Sequence, residues 1–317
     1  MQFADFRVGS CAGVPAHDRG RKEKVMSTFC KAKKITLYAH ARVSCRLGNG
    51  GVLDHGGETM DTIWYIREYR CDNGVCMKTK FPVRETEAVK KSYGRRRTEI
   101  RRAEKCATEA KHEAARLLNC NFRAGRDIYL GLDYSPEGYE RLITRAGTDD
   151  PDAIYLQAQK EMKNYIRRVQ RECAKAGVEL RYLYVTSDLD GHTLEPVRAH
   201  HHMVVNREAL EICLRKWTAG GTWSRKLWAR SYGDLTEIAE YMIGQVRYIR
   251  NAKRYTPSRN LKKAIACKPV KARKAEAELT VPRGCQKIWR GEYYRGRPQH
   301  LRYYRPPESG QAGIEDD

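Results

Sequence analysis

No apolar run in this 317-residue chain approaches the roughly 18 residues of a membrane-spanning helix, so an integral membrane protein is not expected. The opening MQFADFRVGS lacks a basic segment followed by an apolar one, so no secretory signal is expected there. There is no glycine-rich nucleotide-binding loop, no internal repeat and no low-complexity tract. Acid is scarce: 39 Asp+Glu stand against 61 Lys+Arg, a net charge of +22. From Tyr241 to Ala275 there is no Asp or Glu at all, while eleven Lys and Arg fall in that stretch. Ordinary solvated surfaces mix charge signs, so a one-signed stretch points to a polyanionic partner. Nucleic acid fits better than anionic lipid, because no amphipathic apolar face runs along all of the stretch. The eleven cysteines are odd in number and scattered from Cys11 to Cys285. That pattern suits reduced thiols in a cytoplasm better than a disulfide framework. Hydrophobic residues at 41% are enough for a packed core and argue against a wholly disordered chain.

Residues 1–30 have no periodicity and read as a poorly ordered start. Residues 31–83 read as a small β-rich segment, with strands over 33–45 and 59–70. Cys71 and Cys76 bracket Asp72-Asn73-Gly74, a hairpin-like turn, and are read as ordinary thiols rather than zinc ligands. Residues 84–120 form a basic helical segment, either an arm on DNA or an exposed helix. Residues 121–275 carry the best-ordered pattern. Ile128, Leu130, Leu132 and Tyr134 alternate along a strand from Asp127. Asp149-Asp150-Pro151 opens a helix with an apolar stripe of Tyr155, Met162, Ile166, Val169 and Cys173, which Gly177 ends. Leu180–Thr186 and His200–Val205 are further strands, and Asn206 is placed to cap a helix through Trp217. Asp234-Leu-Thr-Glu237 resembles a capping box for a helix running to about Arg250. The plan is α+β: an antiparallel sheet with helices on one face. Residues 276–317 read as an extended tail, rich in Arg, Tyr and Pro, with a frayed acidic end.

The most informative segment is Arg198-Ala-His200-His201-His202-Met-Val-Val-Asn206. Alternate residues of a strand share a face, so His200 and His202 project together and could hold one metal ion. His201 then points to the opposite face as a spacer. The second strand runs into Ser187-Asp188-Leu-Asp190-Gly-His192, where Asp188 is the leading third ligand and Asp190 and His192 are reserves. In the later helix, Leu235, Ile238, Met242, Val246 and Ile249 make the core stripe, with Tyr241 beside it and Tyr248 seven residues on. A tyrosine can act as a covalent nucleophile where a cation polarises the phosphate it attacks.

Together these residues resemble the HUH endonucleases, most closely the rolling-circle replication-associated proteins of bacterial plasmids, phages and integrated elements. The resemblance covers residues 85–270: a basic helix before Asn121-Phe122, the Asp127–Tyr134 strand, the Arg198-x-His200-His201-His202 motif, the Tyr241 helix, and Lys253-Arg-Tyr-Thr-Pro-Ser258-Arg-Asn-Leu261. It implies an RRM-like sheet, and a Mg²⁺ or Mn²⁺ ion held by His200 and His202, with Asp188 as third ligand. It implies that Tyr241 attacks single-stranded DNA at a replication origin, leaving a 5′-phosphotyrosine bond and a free 3′-hydroxyl. The basic segment would grip the strand through Arg247, Arg250, Lys253, Arg254, Ser258, Arg259, Asn260, Lys262 and Lys263. A host helicase and polymerase would be partners. A relaxase, a transposase, or a DNA-binding protein with weakened chemistry are the alternatives. Four positions depart from the family pattern. Leu130-Gly131-Leu132-Asp133-Tyr134 replaces Leu-Thr-Leu-Thr-Tyr, Ser187 stands where an acid is usual, and Gly244 stands where a lysine follows the nucleophile.

Overall fold

The computed structural model describes residues 62–84, 99–249, 252–273, 278–291 and 298–307, all within the compact unit Thr59–Asp317. The readings for residues 1–30 and 33–45, Arg250 and the terminal acidic residues lie outside the described residues. The fold is α+β, with two antiparallel sheets and five helices among the described residues.

The first sheet begins with a hairpin, β1 (Thr62–Arg70) and β2 (Val75–Arg84), closed at the expected Asp72-Asn73-Gly74 turn. Asn73 Oδ1 accepts a hydrogen bond from the Val75 amide at 3.1 Å. Gly74 has φ +83°, and a Cβ there would strike Tyr304 and the Arg305 carbonyl, so the turn requires glycine. Cys71 and Cys76 are buried free thiols. Further along the chain follow α1 (Glu99–Asn121), β3 (Ile128–Asp133), α2 (Pro136–Ala146), α3 (Pro151–Lys175), β4 (Tyr182–Leu189) and β5 (Pro196–Val205). Next come α4 (Leu210–Lys216), β6 (Thr222–Lys226), α5 (Thr236–Gly244) and β7 (Thr256–Pro257). The short strands β8 (Ile265–Ala266) and β9 (Val270–Lys271) precede β10 (Gln286–Arg290) and β11 (Gln299–Tyr304). The second sheet has the order β6-β3-β5-β4-β7, which puts β5, the histidine strand, at its centre.

The sheet is covered on both faces, which corrects the expectation of helices on one face. Ile128, Leu130, Leu132, Met203 and Val205 pack against α2, α3 and α4. Tyr129, Leu183, Val185 and Val204 occupy the opposite face, beneath α1 and α5. The reason lies in the strands: β3 and β4 are buried almost end to end, so apolar residues face both ways and both need a cover. For α1 this decides the matter. Ala110, Ala114, Ala115, Leu117 and Leu118 are buried in that second core. Each leucine-sized side chain buried contributes about 1.5–3 kcal/mol, more than the exposed basic residues gain from any one orientation. The segment expected as a basic arm is therefore a core helix.

The helix starting at Pro151 matches the expectation: Asp150 accepts from the Ala153 amide at 3.1 Å and proline fills the first turn. Two local expectations are corrected. Asn206 holds the N-cap position of a 3-10 turn, Arg207–Ala209, that leads into α4, but its side chain makes no capping bond. Its Oδ1 accepts from the Arg181 amide at 2.8 Å and its Nδ2 donates to the Glu179 carbonyl at 2.9 Å, fastening the start of β4. The tyrosine helix stops at Gly244 instead of running to Arg250, although its stripe of Leu235, Ile238, Met242, Val246 and Ile249 is buried as expected.

Strand pairing runs across the divisions expected at positions 83 and 276. The first sheet has the order β10-β11-β2-β1-β8, with β9 also on β1, so the tail and the N-terminal hairpin share one sheet. Leu301 and Tyr303 of β11 are fully buried there, which is why the tail is no extended arm. The acid-free stretch joins the sheets: β7 pairs with β4, and β8 and β9 pair with β1.

His112 of α1 faces His300 of β11, with ring centroids 4.7 Å apart. Burial, then His300 and the Arg116 and Arg302 cations, push the His112 pKa down to about 4. The unfolded chain therefore takes up a proton near pH 6.5 that the folded chain refuses until about 4. Stability should be full above that window and fall as pH drops through it. Urea titrations at stepped pH should show this fall reduced in a His112→Gln variant.

Candidate active site

On β5, His200 lies opposite Asp133 of β3 and Ser187 of β4, and His202 lies opposite Gly131 and Val185. The alternation works as read: His200 and His202 share the face beneath α5, and His201 turns to the other. His201 is a satisfied core residue, fully buried, with Tyr134 Oη at 3.1 Å from Nε2 and Thr186 Oγ1 at 3.0 Å from Nδ1. Burial pushes its pKa down to about 3.

The two Nε2 atoms of His200 and His202 stand 3.1 Å apart. His200 Nδ1 is 3.0 Å from the Arg198 carbonyl, which can only accept, so in the neutral ring Nδ1 carries the hydrogen and Nε2 presents a lone pair. His202 Nε2 is also 3.1 Å from Gln245 Oε1. The amide of Gln245 is oriented by its own Nε2, which donates to the Tyr241 carbonyl at 3.2 Å, leaving Oε1 toward the imidazoles. Three acceptor atoms thus converge with at most one hydrogen to share. Burial, with His200 adding to it, pushes the His202 pKa down to about 3, so this imidazole stays neutral. If Nε2 holds its hydrogen, buried Nδ1 is left without a partner. If Nδ1 holds it, three lone pairs meet. The donor set of two imidazole nitrogens and an amide oxygen fits a divalent cation.

Gln245 is the residue that sequence reasoning missed. It caps α5 four residues after Tyr241, so both lie on one side of the helix, and that spacing was its only signal. Ser187, fully buried, donates to the Gln245 carbonyl at 2.8 Å and pins this end of the helix to β4.

Tyr241 is half-buried, its ring centroid 6.2 Å from His202 and 6.4 Å from Tyr129. Its hydroxyl lies against Gly191, where a Cβ would approach Oη to 2.6 Å. Tyr129 stacks on His202 at 5.6 Å and 17°. Tyr248 lies beyond the end of α5, 38% exposed, with the Arg254 guanidinium 5.7 Å from its ring.

Asp188 is placed elsewhere. It sits at a register irregularity of β4, and its carboxylate accepts from Arg247 Nε at 2.7 and 3.0 Å. Among the described residues, no three His, Cys, Asp or Glu side chains form a group able to hold a metal. The reserves are also occupied or apart: Asp190 accepts from the His192 and Thr193 amides of its own turn, and His192 is exposed.

The expected strand-gripping residues divide. Arg247 is taken up by Asp188 and Asp152 and lies over Tyr155. Ser258 is buried and accepts from the Tyr182 amide at 3.1 Å. Asn260 donates to Glu179 at 2.8 Å and to the Leu180 carbonyl at 3.2 Å. Arg254 donates to the Val246 carbonyl at 3.2 Å. These four hold the fold together. Lys253, Arg259, Lys262 and Lys263 are exposed, Lys262 reaching Asp72 at 3.1 Å.

Asp188→Asn should leave Arg247 with weaker partners and lower stability by about 1–3 kcal/mol, measured by urea unfolding. No protein family, no curated protein and no solved structure matches this chain.

Proposed function

We propose that this chain nicks and rejoins single-stranded DNA at a replication origin through Tyr241, in the manner of an HUH endonuclease that initiates rolling-circle replication. The observation that carries this reading is the convergence of His200 Nε2, His202 Nε2 and Gln245 Oε1 beside the Tyr241 ring. These three residues would hold the cation, with Gln245 in the place first expected for Asp188. When bound, Mg²⁺ or Mn²⁺ supplies the charge that polarises the scissile phosphate. Tyr241 Oη gives up its proton to solvent water and bonds to phosphorus. The bond from phosphorus to the 3′-oxygen breaks, and that oxygen takes up a proton to become a free hydroxyl. The strand end stays on the protein as a 5′-phosphotyrosine, and attack by a 3′-hydroxyl reverses the step and rejoins the strand. Lys253, Arg259, Lys262 and Lys263, whose side chains are exposed, would meet phosphates along the strand.

Incubation of a labelled pool of single strands with the protein and Mn²⁺ should give a covalent adduct that a chelator prevents. Tyr241→Phe should abolish the adduct while single-strand affinity persists. An adduct that survives this change moves the nucleophile elsewhere. Strand binding with no adduct from the unaltered protein assigns it a binding role without the chemistry.

Metal binding offers a separate check. Gln245→Ala should weaken Mn²⁺ binding, read by calorimetry, by roughly tenfold or more. Asp188→Asn should leave it unchanged. The reverse pattern would restore Asp188 as the ligand.

A further inference from the structure

Edge strand β6 carries an aromatic wall that the chemistry above does not use. Trp223 lies opposite Gly131 in register. A Cβ at Gly131 would fall 2.1 Å from the indole, so the ring crosses β3 over that glycine. It thereby comes within 6.0 Å of the His202 ring and 5.5 Å of the Tyr129 ring, yet it remains 39% exposed. Trp228, just past the strand, is 37% exposed and meets Tyr129 edge-on at 5.7 Å. The Arg225 guanidinium stands 4.2 Å from the Trp228 ring centroid and 5.6 Å from that of Trp223. Among the described residues no carboxylate pairs with Arg225.

Two half-exposed tryptophans that share Arg225 and Tyr129 at a sheet edge exceed what scattered surface apolar residues account for. Strand β6 is exposed along its whole length, so the wall offers open ring surface even where it rests on the buried Tyr129. An arginine stacked on aromatic faces and unpaired with acid suits a phosphate or the face of a base. The wall also begins one ring away from His202. That is where the base next to a phosphate held at His200 and His202 would fall.

We propose that Trp223, Trp228 and Arg225 form a stacking subsite for an unpaired nucleobase adjoining the phosphate at the His200–His202–Tyr241 centre. The proposal rests on the single-strand reading above and narrows it. A duplex does not fit the wall, because paired bases are stacked on one another and offer no free face. Recognition of this kind tolerates any base, since each has a π-face, and it contributes affinity that salt does not screen.

The test uses the Tyr241→Phe protein, so that no strand is cut. Its binding is measured for a short oligothymidylate and for a strand of equal length made of abasic residues. The unaltered wall should prefer the oligothymidylate. Adding Trp223→Ala should weaken that strand roughly tenfold, leave the abasic strand unaffected, and leave the dependence of affinity on salt unchanged. Trp228→Ala should act in the same direction. Because that ring does not rest on Gly131, it carries the test if loss of Trp223 unfolds the sheet edge. Equal weakening of both strands, or full retention of the preference in both variants, overturns the subsite. A base preference that depends on the wall, in a protein that forms no adduct, removes the nuclease reading and keeps the subsite. An adduct without such a preference removes the subsite alone.

Discussion

Acceptor atoms that face one another need a hydrogen or a cation between them. Where neither is present, the buried groups cost about 1–3 kcal/mol each. The buried His202 Nε2 and Gln245 Oε1, with the half-buried His200 Nε2 beside them, are brought to that condition by bonds made behind them. The Arg198 carbonyl fixes the hydrogen of His200 on Nδ1, and the Tyr241 carbonyl fixes the amide of Gln245. Burial keeps His202 from solving the problem by protonation. On the proposed reading the arrangement is held ready for a positive ion by its surroundings, and the donor atoms would not need to reorganise.

The scaffold supplies this readiness by covering both faces of the sheet. A sheet covered on one side would leave the histidine pair in water, where imidazoles protonate readily and lone pairs find solvent. With α1 and α5 over the second face, the pair is screened on one side by Tyr129 and reached from above by Tyr241 and Gln245. Ser187 and Asp188 divide the work at the end of β4. One fastens the helix end that bears Gln245, and the other anchors Arg247 outside the site.

Local chemistry was legible in the sequence, and distant pairing was not. The two-residue period of β5 placed His200 and His202 together and His201 behind them. The Asp150-Pro151 start of α3 was equally plain, because capping involves neighbours in sequence. Gln245 was hidden because an amide advertises nothing until an imidazole stands opposite it. Asp188 was favoured for its place nearest the end of the strand, but at a register irregularity its carboxylate meets Arg247, and no pattern of residue types reveals such a shift. The basic stretch misled in a similar way. Arg247, Ser258 and Asn260 have the composition of a polyanion grip, yet their partners are Asp188, the Tyr182 backbone and Glu179. The tail's place beside β2 depends on a pairing across most of the chain, which composition does not encode.

The three adjacent histidines tie opposite sides of the molecule together mechanically. The ring of His201 sits edge-on to Trp217, whose indole N–H is tethered to the Asp133 carbonyl at 3.1 Å. A strand is stiff along its length but free to roll about its axis, and a side chain on one side is the lever arm for those on the other. Repacking around Trp217 would apply torque to β5 and swing the rings of His200 and His202 on the other face. Damage to the aim of the site can therefore originate on the reverse of the sheet, in residues that a search for chemistry would pass over.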